Sequence, residues 1–168
     1  MILPALALLT MTWASSVMAQ DAPPAELGRH ERHAEDIQAI QGLLRAYTTA
    51  VTNHDERAFE RLLLNDQVPF ASTDQLVGAK ADVGHVDTRR YSTFRDAVFA
   101  ASAHYRQRFY NVCIEQDGSL AQASVDWVTR SVGSSKGSYG WKILQLIKVQ
   151  GQCKIASELY TARSLPKP

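Results

Sequence analysis

Residues 105–161 hold four candidate β-strands in succession, separated by three short turns. The last two are Tyr139-Gly140-Trp141-Lys142-Ile143-Leu144-Gln145-Leu146-Ile147-Lys148-Val149 and Lys154-Ile155-Ala156-Ser157-Glu158-Leu159-Tyr160. Two helical patterns come much earlier. Helices first and a meander last leave few arrangements open: the sheet must bury one face, and the helices are what can cover it. The expected class is α+β, with N-terminal helices packed on the concave face of a strongly curved mixed or antiparallel sheet. The result is a cone-shaped α+β barrel around a pocket.

The chain has 168 residues, which fits one domain, and 45% are hydrophobic, enough for a packed core. Its formal net charge is +1. That gives no bulk electrostatic case for nucleic acid or an anionic membrane. Ile2 to Val17 is apolar apart from Thr and Ser. Val17-Met18-Ala19 then offers a small-residue cleavage site before Gln20. The expectation is a signal peptide over 1–19 and an exported mature protein, periplasmic or secreted, with no membrane segment. Residues 20–34 form a flexible lead-in, 35–163 one domain, and 164–168 a tail.

Helix 1 is expected from about Glu35 to Val51, because Ile37, Ile40, Leu44, Tyr47 and Val51 make one apolar stripe. Asn53-His54-Asp55 breaks it, and Asp55 can cap a second helix over Glu56 to Leu64. A short strand within Gln67–Ser72, a long loop over 73–88 and a third helix over Tyr91 to Ser102 follow.

The meander is registered through its turns: Asp117-Gly118, a five-residue Gly133–Gly137 loop, and Gln150-Gly151. This sets Cys113 opposite Gln122, Gln122 opposite Lys148, and Lys148 opposite Cys153. Strand side chains alternate faces. The core face then carries Tyr110, Val112, Ile114, Ala123, Val125, Trp127, Trp141, Ile143, Gln145, Ile147, Ala156, Glu158 and Tyr160. The outer face carries Leu144, Leu146, Ile155 and Leu159 among polar residues, together with Lys142 and both cysteines. An apolar outer patch suggests an interface, hence a homodimer. Cys113 and Cys153 share a row three spacings apart, ~14 Å at ~4.8 Å each. That exceeds the ~7 Å a disulfide allows, so two free thiols are expected.

Ile40-Gln41-Gly42-Leu43-Leu44-Arg45-Ala46-Tyr47 with Asn53-His54-Asp55, and Leu146–Val149 followed by Gly151-Gln152-Cys153-Lys154-Ile155, resemble the nuclear transport factor 2-like superfamily. That superfamily includes ketosteroid isomerases and SnoaL-like proteins. The likeness covers about residues 35–161, with Cys153 where members often have tryptophan. It implies the same cone and a cavity. It puts Tyr47 where ketosteroid isomerases place an oxyanion tyrosine. It also puts Ala71, which cannot take a proton, where they place the base, so steroid isomerisation is not expected.

Polar groups on an apolar face are the informative ones. Glu158 in an apolar cavity would have its pKa raised and could act as general acid or base. Tyr47 is its expected catalytic partner, and Tyr47 and Gln145 could donate to a developing oxyanion. Tyr160, Trp141, Trp127 and Tyr110 are the expected ligand-binding walls. An arginine such as Arg45 or Arg108 could instead neutralise Glu158. His30, His33, His54, His85 and His104 lack ligand spacing, so no metal is expected. Neither a phosphate loop nor a nucleophile elbow is present, so no cofactor is expected. The reading is an exported small-molecule binder with an apolar pocket and acid/base chemistry of SnoaL-like type. The alternative is a non-catalytic dimeric module working through the outer sheet.

Overall fold

A computed structural model describes residues 22–73 and 91–166. The 1–19 segment and nearly all of the 73–88 loop lie outside the described residues. Helix α1 spans Ala34–Asn53 and buries Asp36, Ile40, Leu43, Leu44, Tyr47, Ala50 and Val51. It stops at His54, whose left-handed backbone (φ 58°) turns the chain. The Asp55 carboxylate then accepts from the Ala58 N–H at 2.8 Å and caps α2, Glu56–Glu60. This helix is shorter than expected because Leu62 to Leu64 leave it to bond the backbone of Ile155. Strand β1 is Phe70–Ser72. The third helix, α3, is Tyr91–Arg95, continued by a π turn over Asp96–Ala100.

Strands β2 (Tyr105–Asp117), β3 (Leu120–Ser131), β4 (Gly137–Val149) and β5 (Gln152–Tyr160) form the expected meander. The sheet order is β1-β5-β4-β3-β2, with β1 parallel to β5 and the rest antiparallel. A two-residue β6, Arg163–Ser164, pairs with β4 beyond the end of β5. Among the described residues six strands make the sheet, and it does not close. Helix α1 lies across β2 and β5. Its first turn is pinned by Asp36, which receives Lys148 Nζ at 2.6 Å and Gln116 Nε2 at 3.0 Å. The lead-in is also tied down where it meets the β2–β3 hairpin. The Glu31 N–H donates to Asp117 Oδ1, and the His33 N–H to Gln116 Oε1, each at 3.0 Å.

The register corrects the expected faces. The β2–β3 turn centres on Gly118-Ser119, so Cys113 faces Ser124. That two-residue slip leaves the face unchanged. A bulge at Asn111-Val112, with Asn111 at φ 48°, does change it. Gln107 and Phe109 point inward, whereas Tyr110 and Val112 are exposed. Between β3 and β4 the last pair is Arg130 with Gly137 rather than Val132 with Ser138, and Gln122 faces Gln145 rather than Lys148. An odd shift turns a whole strand over. Lys142, Leu144 and Leu146 are therefore buried, while Trp141 and Gln145 face outward.

Lys148 does face Cys153, as the left-handed Gln150-Gly151 turn requires. A second bulge in β5 leaves Ala156 unpaired between Ile155 and Ser157. Two departures thus cancel: β4 is inverted, the bulge inverts β5 again, and Glu158 and Tyr160 return to the interior. Leu144, Leu146 and Ile155 belong to the core, so the outer patch expected from them does not exist. Both cysteines are free, with β3 and β4 between their strands. Cys113 is exposed as expected, but Cys153 packs against the core.

Gly140 lies beside the short stretch between β5 and β6, where the chain stays close against β4. A Cβ there would sit 1.9 Å from the Thr161 carbonyl oxygen. Backbone cannot yield as a side-chain tip can. Gly140→Ala should therefore lower stability by about 1–3 kcal/mol, the range for overpacking, read as a denaturant midpoint. A midpoint at the wild-type value would show that this contact is not tight.

Candidate functional site

Among the described residues the least exposed charged side chain is Glu158, fully buried on β5. An unpaired charge there would be very costly, so the fold must supply a cation. Neither Arg45 nor Arg108 does so; both are exposed. The cation is Lys142, one strand away on β4, with Nζ 2.6 Å from Glu158 Oε1. The same Nζ donates to Tyr47 Oη at 2.6 Å, and the Tyr47 hydroxyl donates to Glu158 Oε1 at 3.1 Å. Helix α1 delivers Tyr47 from the opposite layer. All three side chains are essentially sealed from solvent.

Six aromatic rings surround Lys142 Nζ. Their centroids lie at 4.5 Å for Tyr47, 5.2 Å for Tyr160, 5.5 Å for Phe109, 5.8 Å for Trp127, and 5.9 Å for Phe70 and Phe94. Ring faces favour a cation near them and repel water. Burial pulls the Lys142 pKa down, opposed by the Glu158 charge. Burial pushes Glu158 up, opposed by Lys142 and by the Tyr47 hydroxyl. Desolvation is the larger effect on both, and it disfavours the charged form of each.

Burial raises Tyr47 well above its usual value, and the Glu158 charge adds to this. Tyr91 is raised by burial, then by Glu60 and Glu56. Both groups hold their protons in the folded state at a pH where the unfolded chain releases them. Their contribution is complete below about pH 10 and is lost as pH rises above it. The Tyr91 hydroxyl has no hydrogen-bond partner among the described residues. Tyr91→Phe should therefore make the alkaline loss of stability shallower with little effect at neutral pH, measured as denaturant midpoint against pH. An unchanged alkaline slope would assign that loss to other groups.

Beside this cluster is a cavity of about 250 Å³. Its wall includes Phe70, Phe94, Trp127, Tyr160, Lys142 and Gln107, with Thr93 and Ala97 of the α3 segment at an exposed edge. Nζ carries three N–H donors, and Tyr47 and Glu158 take two of them. Gln107 Oε1 and Trp127 Nε1 are buried without partners among the described residues. The Gln107 amide nitrogen is fixed by donating to Thr129 Oγ1 at 3.0 Å.

Of the residues expected from sequence, the structure joins Glu158 to Tyr47 and places Tyr160 and Trp127 on the cavity wall. Glu158 stands behind Lys142 rather than on the wall. Gln145, Trp141 and Tyr110 are not in the pocket: they lie on the outer face, with Trp141 48% and Tyr110 47% exposed. Lys142 and Gln107 were missed. The signal for Lys142 was chemical rather than periodic, since a buried Glu158 needs a cation on a neighbouring strand. Among the described residues no cluster of three metal-ligating side chains occurs.

No protein-family model matches this sequence, and no curated protein matches it. Solved structures do match. A nuclear transport factor 2-like protein of unknown function from Pseudomonas putida has a TM-score of 0.63 at 12% identity, covering 82% of this chain and 100% of its own. A provisionally named aromatic ring hydroxylase from Novosphingobium aromaticivorans has a TM-score of 0.59 at 20% identity, covering 80% and 96%. A provisionally named scytalone dehydratase from the same organism has a TM-score of 0.58 at 14% identity, covering 80% and 89%. At these identities the likeness concerns architecture. With its helices laid on one six-stranded sheet, this chain has the nuclear transport factor 2-like fold.

Proposed function

We propose that this chain binds a small, largely apolar molecule carrying one oxygen, and acts on it by acid/base chemistry. The supporting observation is a cavity walled by aromatic rings that meets Lys142 Nζ, itself bonded to Glu158 and Tyr47. Ligand pockets commonly measure about 300–1,000 Å³, so about 250 Å³ suits a molecule of one or two rings. The third N–H of Lys142 would meet a carbonyl, phenol or enol oxygen. Gln107 Oε1 and Trp127 Nε1 offer a further acceptor and donor. Glu158 and Tyr47 would act through Lys142 by setting where its proton resides.

The test is a fluorescence titration with acetophenone, an aryl ketone. Saturable quenching is expected, lost in Trp127→Phe and blocked by Ala97→Phe at the edge of the cavity. Quenching that never saturates would count against the cavity as a binding site. Mass spectrometry of the protein from its native source should also find a retained small molecule.

The expected export belongs to this proposal. It is checked by N-terminal sequencing of the native protein, which should begin at Gln20. The alternative reading, a dimer through the outer sheet, draws support from Leu159, which the sequence placed there, and from Tyr110 and Trp141, which it placed inside; all three are large, apolar and exposed. Sedimentation should give twice the chain mass, and Trp141→Glu should return it to one.

A further inference from the structure

The Lys142 environment suggests a role beyond hydrogen bonding. We propose that Lys142 Nζ is a nucleophile that condenses with an aldehyde or ketone held in the aromatic cavity to form an imine. This rests on reading the cavity as a small-molecule site. Three features of the geometry support it. Lys142 lines the cavity while only 2% exposed, so carbonyl compounds reach its nitrogen only by entering among the rings. Two oxygens able to exchange its proton, Glu158 Oε1 and Tyr47 Oη, each lie 2.6 Å away. The third N–H direction has no partner among the described residues. A purely structural ion pair needs no opening onto a cavity.

The steps balance without any other reactant. Glu158 takes one proton from the ammonium, leaving a neutral amine and a carboxylic acid. The nitrogen lone pair forms a bond to the carbonyl carbon, and the C=O π pair moves to oxygen. A proton then passes from nitrogen to that oxygen through the Tyr47 hydroxyl, giving a carbinolamine. The Glu158 acid protonates the hydroxyl group, which leaves as water while the nitrogen lone pair closes the C=N bond. One positive charge remains on nitrogen, and Glu158 is again a carboxylate beside it. The lowering of Lys142 basicity by burial works in the same direction.

The experiment is reductive trapping on the full chain. Wild-type protein is incubated with benzaldehyde and cyanoborohydride, which reduces the imine to a stable benzylamine, and the sites are mapped by peptide mass spectrometry. Lys142 should be labelled roughly tenfold or more faster than exposed Lys136, because binding raises the local carbonyl concentration. Ala97→Trp, which leaves the Lys142–Glu158 pair untouched, should abolish labelling at Lys142 and leave Lys136 unchanged. If benzaldehyde quenches Trp127 saturably but only Lys136 and Lys154 are labelled, the imine is overturned and the binding site stands. With neither quenching nor label on Lys142, both fall. Mapping is done on the wild type, so the result does not depend on a Lys142 variant folding.

Discussion

Lys142→Met should lower stability by about 3–5 kcal/mol, because it strands a buried carboxylate. Glu158 lies 0% exposed, its Oε2 has no partner among the described residues, and the Tyr47 hydroxyl alone would remain for Oε1. Removing the partner, not the pair, is what costs so much. The double variant Lys142→Met with Glu158→Leu should therefore recover most of the loss, since apolar side chains of similar volume need no compensation. The pH dependence gives an independent check. In Lys142→Met only the Tyr47 hydroxyl still opposes the burial that raises Glu158, so its folded pKa lies further above the unfolded value near 4.3. A raised pKa contributes stability that is fully present below the unfolded value and lost as pH rises through the folded one. The variant should thus be more stable at acid pH than at neutral pH, measured by urea unfolding across that range. A single variant as stable as wild type at neutral pH would mean that Glu158 is not sealed as the structure has it.

Phe59→Ala should be comparably damaging, by about 3–5 kcal/mol. Phe59 on α2 is fully buried at the centre of an aromatic cluster. Ring centroids lie at 4.6 Å for Tyr47, 5.3 Å for both Phe94 and Phe99, 6.0 Å for Tyr91 and 6.3 Å for Phe70. Edge-to-face and stacked rings of this kind are stabilised beyond the area they bury. Domains are commonly stable by only about 5–15 kcal/mol, so the variant should sit near the edge of folding at room temperature. Phe59 also supports the Tyr47 ring, so ligand binding should weaken even where the variant folds. Phe59→Leu, which leaves less empty volume, should lose less. Equal losses for Leu and Ala would show that the ring contacts, rather than the cavity, set the cost.

Helix α1 was legible because its apolar spacing follows from helical geometry alone, and Ile40, Leu44, Tyr47 and Val51 are all buried. The Asp55 cap and the Gln150-Gly151 turn were legible for the same reason: each is a short-range preference of backbone and side chain. The β3 faces were legible because Ala123, Val125 and Trp127 alternate with polar residues. On β4 both faces are apolar, Trp141-Ile143-Ile147 on one and Leu144-Leu146 on the other, so alternation cannot choose between them. There the face depends on loop length, and a difference of one residue reverses it.

The sequence by itself determined the order of elements, the fold class and the place of Tyr47 on the buried stripe of α1. These follow from local periodicity, whereas Glu158 was assigned to the interior through a register whose two errors cancel. Only the tertiary structure decided that Lys142 joins Glu158 and Tyr47, and that Gln145, Trp141 and Tyr110 do not. Strand register is fixed by pairing across long separations, and two bulges shift it at Asn111 and Ala156. A bulge adds one residue where twist and packing demand it, and no short-range preference in the chain announces where that will be.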